Sequence, residues 1–164
     1  MLRNNGLTLL GTLASGELVY DRYNSHLHEN VKAILAEAFS KIDSRSECFT
    51  IREIDFGRII GESSCVSTSG RDAIVYAFRP KRNGATRFVK NRKPEPSSNA
   101  VVILKRDDYK PYYILITAFV GSIAAKEPWD PRATDEDREF WETHALVWGS
   151  EEVVPGTETA TCPW

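Results

Sequence analysis

His26 and His28 stand two residues apart at the head of an amphipathic run. Imidazole titrates near neutrality, so either can exchange a proton with a ribose hydroxyl or a leaving oxygen. At 100° per residue, Leu27, Val31, Leu35 and Phe39 form an apolar stripe, with His28 at its edge and His26 pointing off it. Arg79 follows Ala73, Val75 and Ala77 at strand spacing, and so projects a guanidinium fork from the end of an apolar face. Such a fork can grip a phosphate bidentately. Thr117 is the one aliphatic hydroxyl in Tyr112–Val120, an otherwise apolar stretch, and at strand spacing it is expected to share a face with Tyr113, Leu115 and Phe119. It either orients a phosphate or hydrogen-bonds to the backbone. The bland alternatives are two exposed histidines at a helix start and an arginine guarding a sheet edge.

These groups need a scaffold. Leu7–Leu13 and Leu18–Tyr23 flank Ala14-Ser15-Gly16-Glu17 and read as a hairpin, with a short helix and loop as the competing reading. Leu27, Val31, Ile34, Leu35, Ala38 and Phe39 recur at helical spacing, with Asn24 or Ser25 as the cap. From Phe49 the period falls to two, with Phe49, Ile51 and Ile54 expected inward. Strands are then expected at Arg58–Glu62 with Cys65–Thr68, and at Asp72–Arg79, Thr86–Lys90, Asn99–Arg106 and Tyr112–Val120. Tyr112–Val120 is apolar on both faces, as the middle strand of a covered sheet must be. The short turns between strands predict a mostly antiparallel meander, in which 86–90 lies between 72–79 and 99–106. Thr134 caps a second helix from Asp135 to about Ala145. His144 ends it, either as a cap or as a second catalytic histidine. The fold class is α+β: an N-terminal helix packed on the meander, and a second helix after the central strand.

The 164 residues fit a single domain, and the −2 net charge conceals an asymmetry. Arg71 to Lys110 holds eleven basic residues against four acidic ones, a net of +7. Lys126 to Glu152 holds three against nine, a net of −6. Arg82, Arg87, Lys90, Arg92, Lys93 and Lys105 are therefore the expected contacts to a polyanion, with Tyr76, Tyr109, Tyr112 and Tyr113 as stackable rings nearby. An acidic end can also fold back on a basic middle. Cys48, Cys65 and Cys162 are odd in number and far apart, so neither a disulfide framework nor a metal site is expected. No apolar run reaches membrane-spanning length, and the chain reads as soluble and cytosolic. No phosphate loop, zinc-protease motif or nucleophile elbow occurs, and no cofactor is expected.

A histidine near a helix start, strands carrying Arg and Lys, and the late strand YYILITAF with Thr117 together resemble the barnase–EndoU–colicin–RelE nuclease superfamily. The resemblance covers roughly 24–121 and leaves 128–164 as an acidic extension. It implies metal-independent RNA cleavage, with His28 or His26 as the acid–base group, Arg79 as the phosphate clamp and Thr117 as the orienting hydroxyl. It further implies RNA and a neutralising antitoxin or immunity protein as partners. The competing reading is a non-catalytic nucleic-acid- or protein-binding module that uses the basic sheet edge. A third is a scaffolding accessory protein.

Overall fold

The computed structural model describes residues 6–22, 27–44 and 46–164. The fold is α+β, with mostly antiparallel sheets, one helix early and one late. The chain divides into two compact units, the first Met1–Gly61 with Pro96–Ser122 and the second Glu62–Glu95 with Ile123–Trp164. The span 24–121 takes in parts of both.

The first unit is a five-stranded sheet under one helix. Strands β1 (Thr8–Thr12) and β2 (Leu18–Asp21) form the hairpin, and helix α1 (Glu29–Ser40) follows. Then come β3 (Phe49–Asp55), β9 (Asn99–Arg106) and β10 (Tyr112–Val120), and the strand order is β1-β2-β10-β9-β3. β10 is the middle strand, as its two apolar faces require. It runs parallel to β2 and antiparallel to β9. Val31, Ile34, Leu35, Ala38 and Phe39 of α1 pack on Val19, Ile54, Val102, Leu104, Tyr113, Leu115 and Ala118. Gly11 of β1 lets the ring of Phe39 lie on the backbone, since a Cβ there would sit 2.9 Å from Phe39 Cδ2.

Two expectations change in this sheet. Phe49 and Ile51 face outward, 55% and 47% exposed, whereas Thr50 and Ile54 point in. The alternation is as expected, but its phase is one residue off. A bulge between Leu115 and Thr117 also shifts β10 by one residue. Tyr113 and Leu115 face α1, but beyond the bulge Ala118 and Val120 take that side. Thr117 and Phe119 therefore project from the opposite face, and Thr117 does not share a face with Tyr113 and Leu115.

The second unit contains β5 (Cys65–Ser67), β6 (Ile74–Phe78), β7 (Ala85–Val89), α2 (Asp135–Thr143) and β11 (His144–Val147). Its sheet has the order β5-β11-β7-β6. The short strands β4 (Gly61–Ser63) and β8 (Glu95–Ser97) contain two of the points where the chain passes between units. β7 does not lie between β6 and β9, because β11 takes its free side in a parallel pairing, Leu146 with Phe88 and Val147 with Val89. The C-terminal segment thus supplies an inner strand rather than a solvated appendage. Thr134 caps α2 in a reciprocal capping box with Asp137, but the helix stops at Thr143 and His144 begins the strand. The tail beyond Ser150 also pairs, with Thr159 and Tyr76 exchanging backbone hydrogen bonds of 2.8 Å.

Candidate nucleic-acid interface

His28 is the N-cap of α1, where Asn24 or Ser25 was expected. Its Nδ1 accepts from the backbone N–H of Asn30 at 3.2 Å. The imidazole is exposed, and one of its nitrogens already has a structural task. His26, Asn24 and Ser25 lie outside the described residues. Thr117 pairs with Ile103 on the sheet face away from α1. Arg79 belongs to the second unit, whereas His28 and Thr117 belong to the first. Its Nη2 donates to Glu127 Oε2 at 2.6 Å and its Nε to the Thr86 hydroxyl at 3.2 Å. Thr86 in turn donates to Glu127 Oε1. This network neutralises the guanidinium and occupies its fork.

The other expected phosphate contacts divide sharply. Arg87 donates to the Thr68 hydroxyl at 2.8 Å and to the His144 carbonyl at 2.9 Å. Lys90 pairs with Glu158 at 3.3 Å and stands 4.7 Å over the Trp148 ring. Arg92 holds Asp72 at 3.4 Å, and also Glu95. Arg82 and Lys93 are exposed. His144 is the C-cap of α2, its Nδ1 2.9 Å from the Phe140 carbonyl and its ring stacked on that of Phe140. In the second unit Glu127 has folded back on Arg79 and Glu158 on Lys90, whereas Arg87 is held by a hydroxyl and a carbonyl and Arg92 by two acids of the basic middle itself.

Lys105 belongs to a different group, contained wholly in the first unit. Beside the turn that joins β9 to β10 is a cleft of about 210 Å³, lined by Arg22, Lys105, Arg106, Asp107, Asp108, Ile114 and Ile116. Three cations and two carboxylates meet there. The carboxylate of Asp107 is tied back, accepting from the backbone N–H groups of Tyr109 and Lys110, both at 2.9 Å, with Arg22 at 3.8 Å. Those contacts, the Tyr109 N–H foremost, hold the Asp107 carboxyl below its usual range. At the tip of the same turn the ring of Tyr109 is 93% exposed, and Lys110 beside it is exposed as well. Of these residues only Lys105 was among the expected phosphate contacts. Tyr109 was expected as a stackable ring, and the signal for Arg106 and Lys110 was the turn itself, Arg106-Asp-Asp-Tyr-Lys-Pro111, an aromatic set between cations.

Among the described residues no group of His, Cys, Asp and Glu could hold a metal ion, and no helix is long and apolar enough to cross a membrane. Comparison with known proteins finds no matching family model, no matching curated protein and no matching solved structure.

Proposed function

We propose that the chain is a non-catalytic module that binds single-stranded nucleic acid at the β9–β10 end of its five-stranded sheet. The observation that supports this reading is a solvent-directed tyrosine, Tyr109, set beside a cleft lined by Arg22, Lys105 and Arg106. Single-strand sites combine these two elements: rings on which bases stack and cations that track the phosphates. Asp107 is tied to the backbone, and the three cations of the cleft outnumber the carboxylates of Asp107 and Asp108. Binding without cleavage is the better-supported reading. The guanidinium of Arg79 is engaged by Glu127, the Nδ1 of His28 by Asn30, and Thr117 leaves the sheet on the face away from α1.

The test is fluorescence anisotropy with a labelled oligouridine RNA of roughly 12 nucleotides, within the span of known single-strand sites. Loss of one stacked base costs about 1–3 kcal/mol, so Tyr109→Ala should weaken binding by about fivefold to a hundredfold. Tyr109→Phe should retain it. Equal affinity of Tyr109→Ala and the parent chain would remove the reading. RNA cleavage that His28→Ala abolishes would restore the catalytic one.

A further inference from the structure

β3, β9 and β10 give one face to α1; on the other, Val101 and Ile114 are buried while Phe49, Ile51, Ile116 and Phe119 are exposed. On that outer face Phe49 pairs with Lys105, Ile51 with Ile103, and Ile103 with Thr117, while Val101 pairs with both Glu53 and Phe119. Ile116 is 46% and Phe119 40% exposed, alongside the outward Phe49 and Ile51. With side chains of 150–250 Å² this makes roughly 400 Å² of apolar surface in one patch. The largest apolar patch on an ordinary soluble monomer is about 300–600 Å² and is often functional, so this one is of a size to serve as a contact. The edge of β3 beside it is guarded rather than offered. Arg52 donates to the carbonyls of Ile51 at 3.1 Å and Asp43 at 3.2 Å, and pairs with Glu47.

Charge selects the occupant. Lys105 stands at one end of the patch, its Nζ 5.9 Å from the Phe49 ring centre. Glu53, which accepts from Asn99 at 3.2 Å, stands at the other. The row Ile51–Ile103–Thr117 runs between them. A two-fold axis along that row, in the plane of contact, exchanges the two ends. It brings Lys105 of one copy against the end that bears Glu53 of the other, as an isologous pair requires. We propose that this chain pairs with a second copy of itself, sheet against sheet, through Phe49, Ile51, Ile103, Ile116 and Phe119. Two such sheets pack about 10 Å apart. The patch is smaller than the roughly 800 Å² per partner of a standard interface, so the dimer is weak and concentration-dependent. This contact goes beyond the nucleic-acid reading, but Lys105 and Ile116 also line that cleft, so nucleic acid and a second copy compete for this end of the sheet.

The experiment is sedimentation velocity on the full chain, free of nucleic acid, from about 1 to 300 µM, a range that brackets micromolar dissociation. The sedimentation coefficient should rise from the monomer value towards that of a dimer. Ile51→Lys, exposed in the monomer and therefore tolerated, should weaken the association by about tenfold or more. Lys105→Glu should do the same, and the exchange Lys105→Glu with Glu53→Lys should recover most of the loss. Circular dichroism checks each fold, with Ile116→Lys as the replacement if Ile51→Lys unfolds. A monomer at every concentration overturns the proposal. So does a dimer indifferent to both lysine substitutions, or an exchange variant no better than Lys105→Glu alone.

Discussion

Arg79 and Glu127, 48 residues apart in the chain, meet at 2.6 Å, with their side chains only 18% and 9% exposed. The arginine most easily read as a phosphate clamp is thus one half of a largely buried ion pair. Removing a single partner strands a charge away from water, which is the costly change, whereas replacing both by apolar groups is often close to neutral. Glu127→Ala should therefore destabilise the protein by about 3 kcal/mol in urea unfolding. Arg79→Met with Glu127→Leu should recover most of that. Wild-type stability in Glu127→Ala would show that the pair does not hold the second unit.

Thr50 offers the opposite experiment. Its side chain is fully buried opposite Leu104, and among the described residues its hydroxyl finds no hydrogen-bond partner. Burying an unpaired hydroxyl costs on the order of 1–3 kcal/mol, and valine has almost the same shape. Thr50→Val should raise stability by about 1 kcal/mol, read as a higher denaturation midpoint at unchanged slope. A loss of stability would imply that the hydroxyl is satisfied.

Legibility in the sequence followed the range of the interaction. The hairpin, α1 and the central position of β10 were readable because each rests on local periodicity or on a run of apolar residues. The bulge at Ile116 was not. In Tyr112–Val120 both faces are apolar, so a one-residue slip leaves the hydrophobic pattern unchanged and gives no signal. β3 failed for a related reason, since Phe49 and Ile51 are more hydrophobic than Thr50 and Arg52 yet face out. β11 was hidden because His144–Val147 continues an amphipathic helix pattern, and only its pairing with β7 and β5 makes it a strand. For the candidate site, counting cations found the basic middle but could not tell Arg79, held by Glu127, from Lys105, which lines a cleft.

The cysteines should differ in reactivity. Cys48 and Cys162 are exposed, while Cys65 is partly covered and burial pushes its thiol up to about 11. A thiol that titrates there holds roughly one thiolate per thousand molecules at pH 8, against roughly a quarter for a free thiol near 8.5. Iodoacetamide labelling followed by peptide mass spectrometry should modify Cys65 about a hundredfold more slowly than a free thiol. The rate should climb about tenfold per pH unit up to the point of alkaline unfolding. Rapid labelling of Cys65 at pH 8 would show that its surroundings open in solution.

The salt dependence of nucleic-acid binding separates the two sets of cations. For single strands the logarithm of affinity falls with the logarithm of salt by about 0.7 per phosphate neutralised. Arg106→Gln with Lys110→Gln should therefore flatten the slope by about 1.4 if each side chain meets one phosphate. Arg87→Gln with Arg92→Gln is the contrasting variant, because Thr68, the His144 carbonyl, Asp72 and Glu95 already occupy those guanidinium groups. It should weaken the fold and leave the slope where it was. A reversed result, with the slope insensitive to Arg106 and Lys110 but flattened by Arg87 and Arg92, would move the interface to the second unit. It would also mean that nucleic acid displaces the His144 carbonyl from Arg87 and the carboxylates of Asp72 and Glu95 from Arg92.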